Sequence, residues 1–171
     1  MLILYAIPHG ELGRQLREYF RVSQAECRNR AHEYFPHCSL TGFFRPINRL
    51  QAYVDAFQAC TDQAEMDVIE PTVRGFKFSP QLHQLKVEAP SWEHVAKRFA
   101  KAIAATASDS EIRTKTGLHV SLAYGFPNRC DLKLRSLAKA VINPCSPVTW
   151  SFDLYERTAT GFWVRHATEQ S

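Results

Sequence analysis

The sequence has no C-x-x-C spacing, no low-complexity tract, no long linker and no apolar run longer than the seven residues MLILYAI at its start. Each absence excludes something. Five cysteines, an odd number without paired spacing, argue against a disulfide framework and for a reducing compartment. MLILYAI is too short for a membrane helix, lacks the basic flank of a signal peptide and runs into Pro8-His9-Gly10, so it reads as a buried first strand. A cytoplasmic protein without membrane association is expected. An excess of one charge sign is nearly absent as well: 21 Lys and Arg stand against 17 Asp and Glu, a formal net charge of +4. That balance suits an anionic ligand without requiring one. The apolar and charged fractions, 45% and 22%, are those of an ordinary soluble domain. Residues 1–171 therefore read as a single domain, or two lobes on one core.

What is present is an alternation of strands and helices. Leu2–Pro8 reads as a strand, and Leu12, Leu16, Tyr19 and Phe20 give a helical stripe. A second strand is predicted over 34–44, and a helix is marked by Leu50, Tyr53, Val54 and Phe57. Strands follow at about 66–78, broken by Pro71, and 81–88. Pro90-Ser91 opens the clearest helix, with Ser91 as N-cap and Trp92, Val95, Ala96, Phe99 and Ile103 on one face. A strand at 117–125, a helix carrying Leu134, Leu137, Ala138 and Val141, and a closing pair VTWSFDLYER and GFWVRHA complete the chain.

The chain also repeats itself. HCSL at 37–40 continues as HCSLTGFFRPINRL, and HVSL at 119–122 as HVSLAYGFPNRCDL. Each copy runs on to Gly-Phe and then to a Pro, an Asn and an Arg. Chance duplication of His-x-Ser-Leu arises in roughly one such chain in several hundred, so the echo calls for a structural or chemical cause. Helix, motif strand, helix occurs twice, the pattern of an α+β fold with two pseudo-symmetric lobes. Each lobe is expected to be an antiparallel sheet with helices packed outside, the two enclosing a central cleft. Side chains at i and i+2 share a face of a strand, so His37 projects with Ser39 and His119 with Ser121. Cys38 and Val120 point the other way, toward the core. Two imidazoles and two hydroxyls across one cleft suit phosphodiester chemistry, which needs a base, an acid and donors to the non-bridging oxygens. His37 and His119 are thus the candidate catalytic residues, and Ser39 and Ser121 the candidate phosphate ligands. Duplication that serves folding alone is the competing reading.

Paired His-x-(Ser/Thr)-hydrophobic motifs on equivalent strands of two lobes resemble the signature of the two-histidine (2H) phosphoesterases. HVSLAYG is most similar to the small cyclic nucleotide phosphodiesterase branch, and Ser39 stands where Thr is commoner. The resemblance implies a metal-independent, cofactor-free hydrolase that opens 2′,3′-cyclic phosphates of nucleotides, ADP-ribose derivatives or RNA ends. Its alternatives are cleavage of linear 2′-5′ or 3′-5′ RNA linkages, and a binding module that holds a nucleotide or RNA end without turnover. The expected partner is the phosphodiester substrate, bound by a monomer with no obligate protein partner.

Several further residues have two readings each. Strict alternation puts Tyr124 opposite His119, unless Gly125 bends or bulges the strand; the resemblance favours Tyr124 at the substrate rim. Phe43, Phe44 and Phe126 are core by default, although one is able to stack on a nucleobase. His83, sharing a strand face with Leu85 and Val87, is first a satisfied core histidine and second a rim residue. Arg45, Lys77 and Lys86 are solvated charges or phosphate contacts. His9, His94 and His166 read as surface residues. HEYFPH at 32–37 misses the zinc spacing HExxH by one residue and contains Pro36, so no metal site is expected there.

Overall fold

A computed structural model describes residues 1–46, 49–62, 70–106 and 112–170. The elements run β1 (Leu2–Pro8), α1 (Gly10–Glu26), a 3-10 turn (Arg30–Glu33), β2 (Cys38–Ser39), α2 (Leu50–Thr61), β3 (Thr72–Ser79) and β4 (Leu82–Glu88). They continue with α3 (Pro90–Thr106), β5 (His119–Tyr124), a 3-10 turn (Asn128–Cys130), α4 (Asp131–Val141), β6 (Trp150–Arg157) and β7 (Trp163–Gln170). The strands form an antiparallel, seven-stranded sheet of order β3-β4-β5-β2-β1-β6-β7. The class is α+β. Where one sheet per lobe is expected from the repeat, the strands form one sheet, because β2 pairs with β5 through Cys38 and Val120.

β1 is an interior strand, flanked by β2 and β6 and buried along nearly its whole length, which is why it reads as a continuous apolar run rather than an alternation. One face of the sheet, with Leu2, Leu4, Ala6, Cys38, Val120, Leu122, Phe152 and Leu154, is sealed by the apolar stripes of the helices. Leu12 and Leu16 come from α1, Tyr53 and Phe57 from α2, and Trp92, Val95, Phe99 and Ile103 from α3. Trp92 meets Trp150 edge-on at 4.8 Å. Pro90 occupies the first helical position of α3, where its missing N–H costs nothing, so Ser91 falls inside the first turn rather than at the cap.

The motif strand at 34–44 is shorter than its pattern suggests. Only Cys38 and Ser39 form β2, with isolated bridges at Thr41 and Phe44. Pro36 has no N–H to donate, and the Thr41 hydroxyl takes the Leu4 N–H at 3.0 Å, standing in for a ladder bond. Residues 66–69 of the expected strand 66–78 lie outside the described residues. Gln81, at φ 60, makes the turn of the β3–β4 hairpin. Among the described residues, no helix is long and apolar enough to cross a membrane.

The cysteines correct one expectation. Cys27 and Cys130 form a disulfide across a sequence separation of 103, while Cys38, Cys60 and Cys145 are free. Cys27 follows the last turn of α1 and Cys130 precedes α4, and these helices pack side by side. That proximity is made by tertiary packing and leaves no spacing signature in the chain.

Candidate active site

The open face of the sheet carries the cleft. Cys38 pairs with Val120 in antiparallel register, so one step either way sets His37 against Ser121 and Ser39 against His119. The two motifs therefore meet head to tail across the β2–β5 seam. Directly opposed residues have Cβ atoms about 5 Å apart and diagonal ones about 7–8 Å, a gap that a phosphate between two imidazoles fills. His37, Ser39 and Ser121 line a cavity of about 440 Å³, and an adjoining one of about 220 Å³ adds His119. Cys38 lies beneath the floor, fully buried, its thiol pushed up to about 12 by burial. It is packing, not a nucleophile.

Both imidazoles are held in the same way. His37 Nδ1 lies 2.7 Å from the Phe35 carbonyl oxygen and His119 Nδ1 3.0 Å from that of Gly117, each two residues upstream. A carbonyl only accepts, so Nδ1 donates in both rings. The Nε2 position is thereby left for the cleft, as acceptor in the neutral ring and donor in the charged one. The Tyr5 ring lies 3.9 Å from His37 at 36°, with Tyr34 and Phe35 at 5.8 and 5.7 Å. Burial pushes the His37 imidazole down to about 4, against the pull of the Phe35 carbonyl, and His119 lowers it further. Burial also lowers His119, partly offset by the Gly117 carbonyl, and Lys86, Lys115 and Lys77 add to the depression. Neutral imidazoles are the resting state at pH 7, ready to accept a proton.

Tyr124 reaches the cleft through a bulge, though not at Gly125. Gln84 pairs with Ser121 and His83 with Ala123, which leaves Leu122 as the extra residue of β5. The alternation slips by one there, so Leu122 and Ala123 are both buried and Tyr124 returns to the side of His119 and Ser121. Phe43, 38% exposed, stands at the rim. Phe44 does not: it is buried against Tyr53 and Phe99 at 5.8 and 6.0 Å. His83, fully buried, is a core residue. Its Nε2 donates to the Asp131 carboxylate at 2.8 Å, and its ring lies between Phe78 and Phe126. β4 has no extra residue, so His83 keeps the regular alternation with Leu85 and Val87 and falls on the helix side. Phe126 is likewise core, and Arg45 is exposed outside the cleft lining. His32 is a cap: its Nδ1 accepts from the Asn29 N–H at 3.1 Å.

Other cleft residues escaped sequence reasoning. Tyr5 sits directly opposite Ser39, hidden in a strand that reads as uniformly apolar. Its hydroxyl pKa is raised by burial, and that of Tyr124 is pushed up to about 12, so both remain donors. Thr41 continues the period of two from His37 and Ser39 and was legible in principle. Arg113, Lys115 and Tyr34 come from irregular segments with no periodicity to expose them. Tyr34 accepts from Arg157 at 3.3 Å, and that guanidinium also lies over the Tyr34 and Trp163 rings.

The chain is similar to part of several much longer proteins. It is 32% identical over 162 residues to the Mus musculus ubiquitin-associated and SH3 domain-containing protein A, covering 90% of this chain and 25% of that protein. To the human ubiquitin-associated and SH3 domain-containing protein B it is 33% identical over 130 residues, 72% of this chain and 20% of the other. To an ecdysteroid-phosphate phosphatase of Bombyx mori it is 28% identical over 163 residues, covering 91% and 24%. One relative is a phosphatase. The chain spans a quarter or less of the length of these relatives. No protein-family model matches it, and no solved structure matches it significantly.

Proposed function

We propose that this chain is a phosphoesterase of the two-histidine type, and that it hydrolyses 2′,3′-cyclic phosphates of nucleotides, ADP-ribose derivatives or RNA ends. The observation that carries the reading is the head-to-tail meeting of the two His-x-Ser motifs, with both Nδ1 atoms committed to the backbone. Similarity to a phosphatase supports phosphate-ester hydrolysis at the coarser level.

In the mechanism, one neutral imidazole takes a proton through Nε2 from the attacking water as its oxygen bonds to phosphorus. The other, protonated at Nε2, gives its proton to the ribose oxygen as the P–O bond breaks, leaving a phosphomonoester. Ser39 and Ser121 donate to the non-bridging oxygens, where negative charge gathers in the transition state. The scheme assigns no step to a metal. Each histidine faces the other motif's serine, so the site serves either direction of approach.

The test is a panel of cyclic mononucleotides, cyclic-ended RNAs and linear 2′-5′ and 3′-5′ oligomers, read by mass spectrometry. Opening of the cyclic phosphates that survives chelation supports the reading. Cleavage of the linear oligomers alone would move the substrate class. No turnover on any member, with nucleotide affinity retained, would make the cleft a binding site.

A further inference from the structure

The cleft is not symmetric in charge. Neither cavity is lined by a single carboxylate, yet Arg113 and Lys115 line the larger, and Lys115 also lines the smaller. The floor continues onto the β3–β4 hairpin. Lys86 lies directly opposite His119, and Lys77 opposite Gln84, which is itself opposite Ser121. Cross-strand neighbours share a face, so Lys77 and Lys86 extend the cleft on its β5 side. Among the described residues, none of these four cations pairs with a carboxylate. Glu88, on the same strand face as Lys86, is instead engaged by Arg74. The opposite wall is aromatic, built from Tyr5, Tyr34, Phe35 and Phe43.

A cyclic phosphate carries one negative charge, and the serines with the imidazole pair already receive it. Three unpaired lysines around His119 and Ser121, Lys77, Lys86 and Lys115, exceed that need, while Arg113 lies beside Gly42. They also have a cost at the site, because Lys86, Lys115 and Lys77 all oppose protonation of His119. A second anion on that wall removes the conflict. Resting on the reading of the cleft as a phosphodiester site, we infer that the substrate carries a further phosphate beyond the reacting one, and that the Lys77–Lys86–Lys115 wall seats it. The aromatic wall then takes the uncharged part of the substrate. A 5′-phosphate on the same nucleotide and an internucleotide phosphate present the same chemistry.

Affinity tests this without relying on turnover. Adenosine 2′-monophosphate and adenosine 2′,5′-bisphosphate are titrated calorimetrically at low and physiological salt. The bisphosphate should bind about tenfold more tightly at low salt, the scale of one or two close ion pairs at a solvated surface, and the advantage should shrink as salt rises. Lys77→Gln with Lys86→Gln should bring the ratio of the two affinities close to one, with an unchanged circular dichroism spectrum. Equal affinities in the parent chain, or a ratio that survives the double substitution, would overturn the inference. Comparing a cyclic-ended dinucleotide with adenosine 2′,3′-cyclic phosphate in kcat/KM separates the two phosphate sources. Absence of turnover with a retained affinity ratio would instead remove the hydrolase reading and leave the second phosphate seat standing.

Discussion

Protonation of His37 should be visible in the stability of the fold. Its pKa falls from 6.5 to about 4 on folding, chiefly through burial. Between those values the unfolded chain binds a proton that the folded chain refuses, so stability is full above pH 6.5 and is lost as pH falls toward 4. The span corresponds to about 3 kcal/mol as a ceiling, because the cleft admits some solvent to the ring. His37→Gln removes the titration while keeping a polar side chain of similar size. Urea unfolding of both chains at pH 7 and pH 4.5 isolates the effect, since every other group titrates in both. The stability of the parent relative to His37→Gln should drop by about 2 kcal/mol between the two pH values. Adenosine 2′-monophosphate should reduce that drop, because an anion beside the imidazole favours its charged form. A stability difference independent of pH would refute the burial argument, and with it the neutral resting state of the site.

Three other outcomes are expected. Replacing either His37 or His119 by Ala should lower kcat on cyclic phosphates by about 10²–10⁴, with a much smaller change in affinity for a 2′-monophosphate; kinetics and calorimetry together read the split. Because both imidazoles are depressed in the free protein, the basic limb of kcat/KM against pH should fall below 6.5, while that of kcat, read on the complex, lies higher. Cys27→Ser should cost about 2–5 kcal/mol in urea unfolding, since the lost bond closes a loop spanning a separation of 103 residues.

Periodicity made much of this protein legible. The stripes on α1, α2 and α3 and the apolar β1 follow from local patterns that burial on one face imposes, and the structure places those elements where the patterns put them. The same reasoning identified His37, Ser39, His119 and Ser121 as paired projections, because the i, i+2 rule depends only on a strand's own geometry. What it did not supply was how one strand meets another. The head-to-tail seam, the merging of two expected sheets into one and the Cys27–Cys130 bond all depend on contacts between segments distant in sequence. A bulge is equally non-local: Leu122 is extra only relative to β4, yet that single residue decides that Tyr124 faces the cleft, whereas the core placement of His83 follows from plain alternation on β4. Arg113, Lys115 and Tyr34 sit on irregular backbone, where no period ties residue number to direction. The shared projection of the four central side chains was thus written in the sequence, whereas the walls around them were set by tertiary packing.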